Sequence, residues 1–186
     1  MKNLLVKKSS TQGMSLIELL LVVGLAAIIL AGMFVAYNKV QSTNAANTES
    51  ANISTLRAGI KNLYGTTSNY SGVTEVILLQ ARVVPDSMRT AAGTTINNSF
   101  GGAVTVAPAT FAGNANSAFA ITYPNVPVDV CAKLVVAVSQ SFNLVTVNGT
   151  TVKNTSTATG NEINITSLAS SCASDDAGAE LIMTSL

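Results

Sequence analysis

Glu18 is the only charged side chain between Lys8 and Lys39, and the run that follows it, Leu19–Ala36, is 18 uncharged residues without proline. A carboxylate in so apolar a setting is costly, which asks for a partner and a function. The other residues that could do chemistry are few. Histidine is absent, which removes the commonest general base and metal ligand. No Cys-x-x-Cys pair, Walker loop or dinucleotide fingerprint occurs. Phe100-Gly101-Gly102 is too short for a phosphate loop and reads as turn chemistry. Asp175-Asp176, adjacent acids in a Ser-rich stretch, read as a solvated turn rather than a cation site. Nothing here points to an enzyme, a metal or a cofactor.

The two cysteines, Cys131 and Cys172, lie in the last third of the chain. In an exported protein such a pair favours a disulfide over a metal site, with two buried thiols as the plainer alternative. A loop of that length closed by a disulfide would gain about 4 kcal/mol in the chain-entropy description.

At 186 residues the chain suits one domain with an appended element. Charged residues make up only 10% of it, and three of the ten basic ones (Lys2, Lys7, Lys8) precede Gly13, leaving seven against nine acidic. So even a balance gives no electrostatic footprint for nucleic acid. The apolar run is at the lower limit for a bilayer-spanning helix, and the leading lysines would keep its start cytoplasmic. An ordinary secretory signal shares the basic start, and Leu30-Ala31-Gly32 offers a small-residue cleavage point. Such signals usually have a shorter apolar region and no acid within it, so Glu18 argues against that reading.

A short basic leader ending in Gly13, a hydrophobic Met14, then Glu18 as the fifth residue of an apolar helix resembles the class III signal of type IV prepilins. The resemblance implies cleavage between Gly13 and Met14 and N-methylation at Met14. It also implies an assembly role for Glu18, whose carboxylate would face the Met14 ammonium of a neighbouring subunit. That pairing would offset the cost of both charges in an apolar core and set the axial register. Ala27 and Ala31, and Gly32 and Ala36, are four apart, a spacing that permits close helix approach. Many type IVa pilins carry a proline about where Val35 stands.

From Gln41 the composition turns polar while the helical pattern persists. Ile53, Leu56, Ile60 and Leu63 fall on one face, and Gly65 follows as a stop. A continuous helix over about 15–64 would be about 75 Å long. Beyond it, Thr66–Gly102 reads as a connector with a short helix at Val73–Ala81. Strands are expected at Ala103–Ala107 and Ala118–Tyr123, and a helix at Val128–Gln140, where the several valines make a central strand the competing reading. Leu144–Val147 and Thr150–Val152 flank Asn148-Gly149, the clearest hairpin signal. A short strand at Glu162–Ile165, a helical turn at Thr166–Ser171 and a terminal strand at Glu180–Thr184 complete the reading. The fold class is α+β, a long N-terminal helix packed on a globular head with a mostly antiparallel sheet, as in the pilin fold.

The order of Ser68-Asn69-Tyr70-Ser71-Gly72, Ile77-Leu78-Leu79, Val84-Pro85-Asp86 and Phe100-Gly101-Gly102 is similar to the bundle-forming and conjugative thin-pilus branch of type IVb pilins. In that branch Cys131 and Cys172 would bracket a disulfide-bounded C-terminal region. The resemblance implies four segments: a leader at 1–13, a membrane and filament-core helix at 14–40, its amphipathic half at 41–65, and a head at 66–186. It implies a major pilus subunit, held in the inner membrane as prepilin and then assembled into an extracellular homo-oligomeric filament. Its partners would be a prepilin peptidase that also methylates and the pilus assembly machinery. A minor pilin or type II secretion pseudopilin is the alternative, and a membrane-anchored surface binding protein a more distant one.

Overall fold

The computed structural model describes residues 15–67, 69–157, 160–173 and 178–186. The chain divides into two compact units, residues 1–40 and 41–186. Helix α1 (Leu16–Tyr64) runs unbroken for 49 residues, with no proline in its interior. In the first unit every described side chain from Ser15 to Val40 is exposed.

In the second unit the same helix becomes amphipathic. Ser42, Ala46, Glu49, Ile53, Leu56 and Ile60 are buried, a 4-3-4-3-4 spacing that keeps one face on the core. Burying each of the three large aliphatic residues contributes about 1.5–3 kcal/mol. The expected fourth member, Leu63, is 41% exposed; the stripe instead extends toward the N-terminus, through Glu49. Gly59 permits a close approach, since a Cβ there would lie 2.7 Å from Val83 Cβ.

After α1 come a short helix α2 (Glu75–Gln80), a 3-10 turn (Asp86–Met88) and a two-residue strand β1 (Ile96–Asn97). Strands β2 (Ala103–Phe111) and β3 (Asn114–Val126) form a hairpin, followed by helix α3 (Val128–Ser139). The hairpin β4 (Leu144–Val147) and β5 (Thr150–Asn154) precedes helix α4 (Ile165–Ala173) and strand β6 (Ala179–Ser185). The sheet order is β1-β2-β3-β6-β4-β5, and every pair is antiparallel. The C-terminal strand therefore sits centrally, with Leu181 and Met183 fully buried, and joins the two hairpins into one sheet.

Three expectations need correction. Residues Glu162–Ile165 are not a strand: Asn164 caps α4, its Oδ1 accepting Ser167 N–H at 3.0 Å, and Ile165 is already helical. Local capping outweighs the β-branched character of Ile163 and Ile165. Strand β2 continues past Pro108 to a turn at Ala112-Gly113, where both φ angles are positive. Strand β3 likewise runs through Pro124, at a register shift between Tyr123 and Val126 where Asn125 has φ +61. Proline is tolerated at such an irregularity because no ladder bond needs its missing N–H.

Candidate functional site

Two constellations stand out, one in each unit. In the first, Glu18 occupies the first turn of α1, where a negative charge suits the helix dipole. Around it Leu16, Ile17, Leu19, Leu20 and Leu21 are exposed, as are the leucines, isoleucines and valines onward to Val40 whose side chains are described. The helix is long and apolar enough to cross a membrane. A Cβ added at Gly24 or Gly32 would meet nothing within 4 Å, so both leave open space beside the helix. Gly13 and Met14, the expected cleavage site, lie outside the described residues, as do Asp175 and Asp176.

In the second unit the α1 face is fastened by polar contacts as well as by burial. Lys133 on α3 donates to Ser42 Oγ at 2.6 Å, and Ser87 Oγ donates to Asn52 Oδ1 at 2.8 Å. Tyr123 on β3 donates its hydroxyl to Glu49 Oε2, with both side chains buried. Arg57 Nε donates to Ser185 Oγ at 3.0 Å, and its guanidinium lies 5.6 Å from the Phe142 ring centre. Burial lowers the Arg57 pKa from its usual value, an effect partly opposed by Tyr70. Lys61, one turn later, is lowered by burial and then by the nearby Arg57 charge. Glu49 escaped the sequence reading because an acid in a polar stretch looks solvated. Its signal was position: it stands four residues before Ile53, on the same face.

Cys131 on α3 and Cys172 on α4 are joined, with Cα atoms 5.8 Å apart across 41 residues of sequence. Both lie in the buried core. Asn148 of the β4–β5 turn reinforces this corner: its Nδ2 donates to Ser171 O at 3.0 Å and its Oδ1 accepts Glu180 N–H at 2.8 Å. One turn residue thus ties the end of α4 to the start of β6. Lys153 on β5 donates to Ser139 O, the last residue of α3, at 2.6 Å. A cation there complements the helix C-terminus. Burial lowers its pKa. Among the described residues, no group of three or more metal-ligating side chains gathers.

The family model for the PilS N-terminal region matches residues 43–186. The chain belongs to the PilS family of type IV pilins. Two relatives from Escherichia coli, strains O111:H- and O127:H6, are each the major structural subunit of the bundle-forming pilus. Each is 30% identical over 167 residues, spanning 90% of this chain and 81% of the relative. The fold matches TcpA, a type IV pilin from Vibrio cholerae El Tor, at a TM-score of 0.60 and 17% identity, over 78% of this chain and 99% of that one. It also matches a type IVb pilin from Salmonella typhi, at 0.57 and 23%, over 74% and 97%. The long helix with an antiparallel six-stranded sheet is therefore the type IV pilin fold, and the family is one of structural subunits rather than enzymes.

Proposed function

We propose that this protein is the major structural subunit of a type IVb pilus, made as a membrane-held prepilin and assembled into a surface filament. The observation that carries the reading is the contrast along α1: an apolar segment whose described side chains are all exposed, with one acid in its first turn, then a segment whose apolar face is buried. Exposed apolar surface on that scale requires lipid or other copies of the chain to cover it. Both curated relatives are major rather than minor subunits, which weighs against the minor-pilin and pseudopilin alternatives.

In this proposal residues 1–13 form the leader, 14–40 the membrane and filament-core helix, 41–65 its amphipathic half and 66–186 the globular head. A prepilin peptidase in the inner membrane cleaves Gly13–Met14, and the new Met14 amine is methylated and stays protonated. Glu18, one turn along the helix, then meets that amine on a neighbouring subunit. Both charges are costly alone in an apolar core and less so together. Cleavage thus creates the partner that Glu18 lacks in the uncleaved chain. The assembly machinery extracts the subunit, and the filament is a homo-oligomer.

The intact mass and N-terminal sequence of protein recovered from sheared surface material test this. A chain beginning at methylated Met14 is expected. A chain still beginning at Met1, or one cut beyond Ala31, contradicts the proposal.

A further inference from the structure

The sheet's two edges are closed in different ways. At β5 the main chain of the following segment covers the edge: Asn164 N–H donates to Val152 O, and Asn154 N–H to Gly160 O. At the other end β1 is only two residues long and reaches Ala103 and Val104 alone. Among the described residues, the rest of β2, seven residues to Phe111, has no strand on its outer side.

That open stretch is a hazard by composition. Between Arg89 and Asp129 no charged residue occurs, and β2 itself reads Ala-Val-Thr-Val-Ala-Pro-Ala-Thr-Phe. An uncharged, β-prone edge is a template for pairing with a like strand. The charges that usually guard such edges cannot come from β2 or its partner β3.

Two side chains close it instead. Val106 points its N–H away from β3 and donates it to Glu75 Oε1 at 2.8 Å, a carboxylate supplied by the first residue of α2. Outward and inward groups alternate along an antiparallel ladder, so Pro108 falls on the same outer row as Val106. Pro108 has no N–H to offer there. Just beyond it the pairing with β3 shifts register between Ala109 and Phe111, which bends a strand away from regular pairing. Along the outer row one residue is paired by β1, the next donor is held by a carboxylate, and the next is missing.

We propose that Glu75 and Pro108 form an edge guard that prevents β2 from adding the same strand of a second copy of this chain. The second copy is the natural occupant, because an uncharged segment finds its best register with itself and identical chains meet at high local concentration wherever this protein accumulates. The inference uses only the head and holds whether or not the pilus proposal does.

The test uses the full-length protein in detergent, comparing wild type with E75A/P108V by light scattering and by the infrared signal of intermolecular strands. The double variant is expected to associate at roughly tenfold lower protein concentration, as befits one donor freed and one added for pairing. E75Q keeps an acceptor oxygen, and A107V raises strand propensity on a residue of the inner row; both should match wild type. A folded double variant that stays as dispersed as wild type overturns the proposal, as does equal association by A107V. Should the double variant fail to fold, amide exchange at Val106 in E75A and association of P108V alone decide the matter. Faster exchange and a smaller shift toward association support the guard; no change in either refutes it.

Discussion

Within the second unit, residues 41–186, the described buried polar side chains have partners and the large aliphatic residues Ile53, Leu56 and Ile60 of α1 face a core. In residues 15–40 the reverse holds: the described apolar side chains are exposed and the acid at the start is solvent-facing. One helix thus carries two kinds of surface. The head has its stability within a single chain, whereas the N-terminal segment is complementary to something outside it. The physical lesson is that the same regular backbone serves both ends, and only the side-chain pattern decides which end is self-sufficient.

The largest effect that sharpens this comparison is at Glu18. E18A is expected to leave processing and head stability intact while abolishing filaments, read by electron microscopy of sheared material alongside intact mass. Normal filaments from that variant would break the proposed registry role. Next comes the disulfide: the C131A/C172A variant should lose about 4 kcal/mol of head stability in denaturant titrations, with the helicity of residues 16–40 unchanged. Loss of both together would mean the two regions are not independent.

A matched pair of truncations probes the comparison directly. L56A removes a fully buried side chain and should cost about 2–5 kcal/mol. L25A removes one that is 56% exposed and should change the stability of the unassembled protein by less than about 0.5 kcal/mol. Similar losses in both would contradict the division. The smallest effect concerns Lys153. Burial lowers its pKa below the ordinary lysine value of 10.5, so above the lowered value the unfolded chain holds more protons than the folded one. Stability should then rise with pH toward 10.5 and be flat below that window. Lys61 shifts the same way, so K153M should flatten the rise without removing it, measured by unfolding midpoints between about pH 8 and 10.

Much of this was legible in the sequence because it depends on local pattern. The uninterrupted apolar run, the i, i+3, i+7 spacing of Ile53, Leu56 and Ile60, and Asn148-Gly149 each specify structure within a few residues. What escaped depends on distant partners. Glu49 is buried because Tyr123, 74 residues away in sequence, reaches it. Pro108 and Pro124 looked like strand ends, yet one lies on an edge and the other at a register shift, where no N–H is required. Ile163 and Ile165 suggested a strand until the Asn164 cap directed that segment into α4. The proposed cleavage site, Gly13–Met14, is legible only as a motif, since a peptide bond shows its function through the enzyme that cuts it.

The most direct test of the central claim is the structure of the assembled filament at side-chain resolution. The Glu18 carboxylate of one subunit is expected to lie within about 4 Å of the N-terminal amine of Met14 on a neighbour, with residues 15–40 covered by other copies. A filament in which Glu18 faces solvent, or in which the helices begin at Met1, would contradict it.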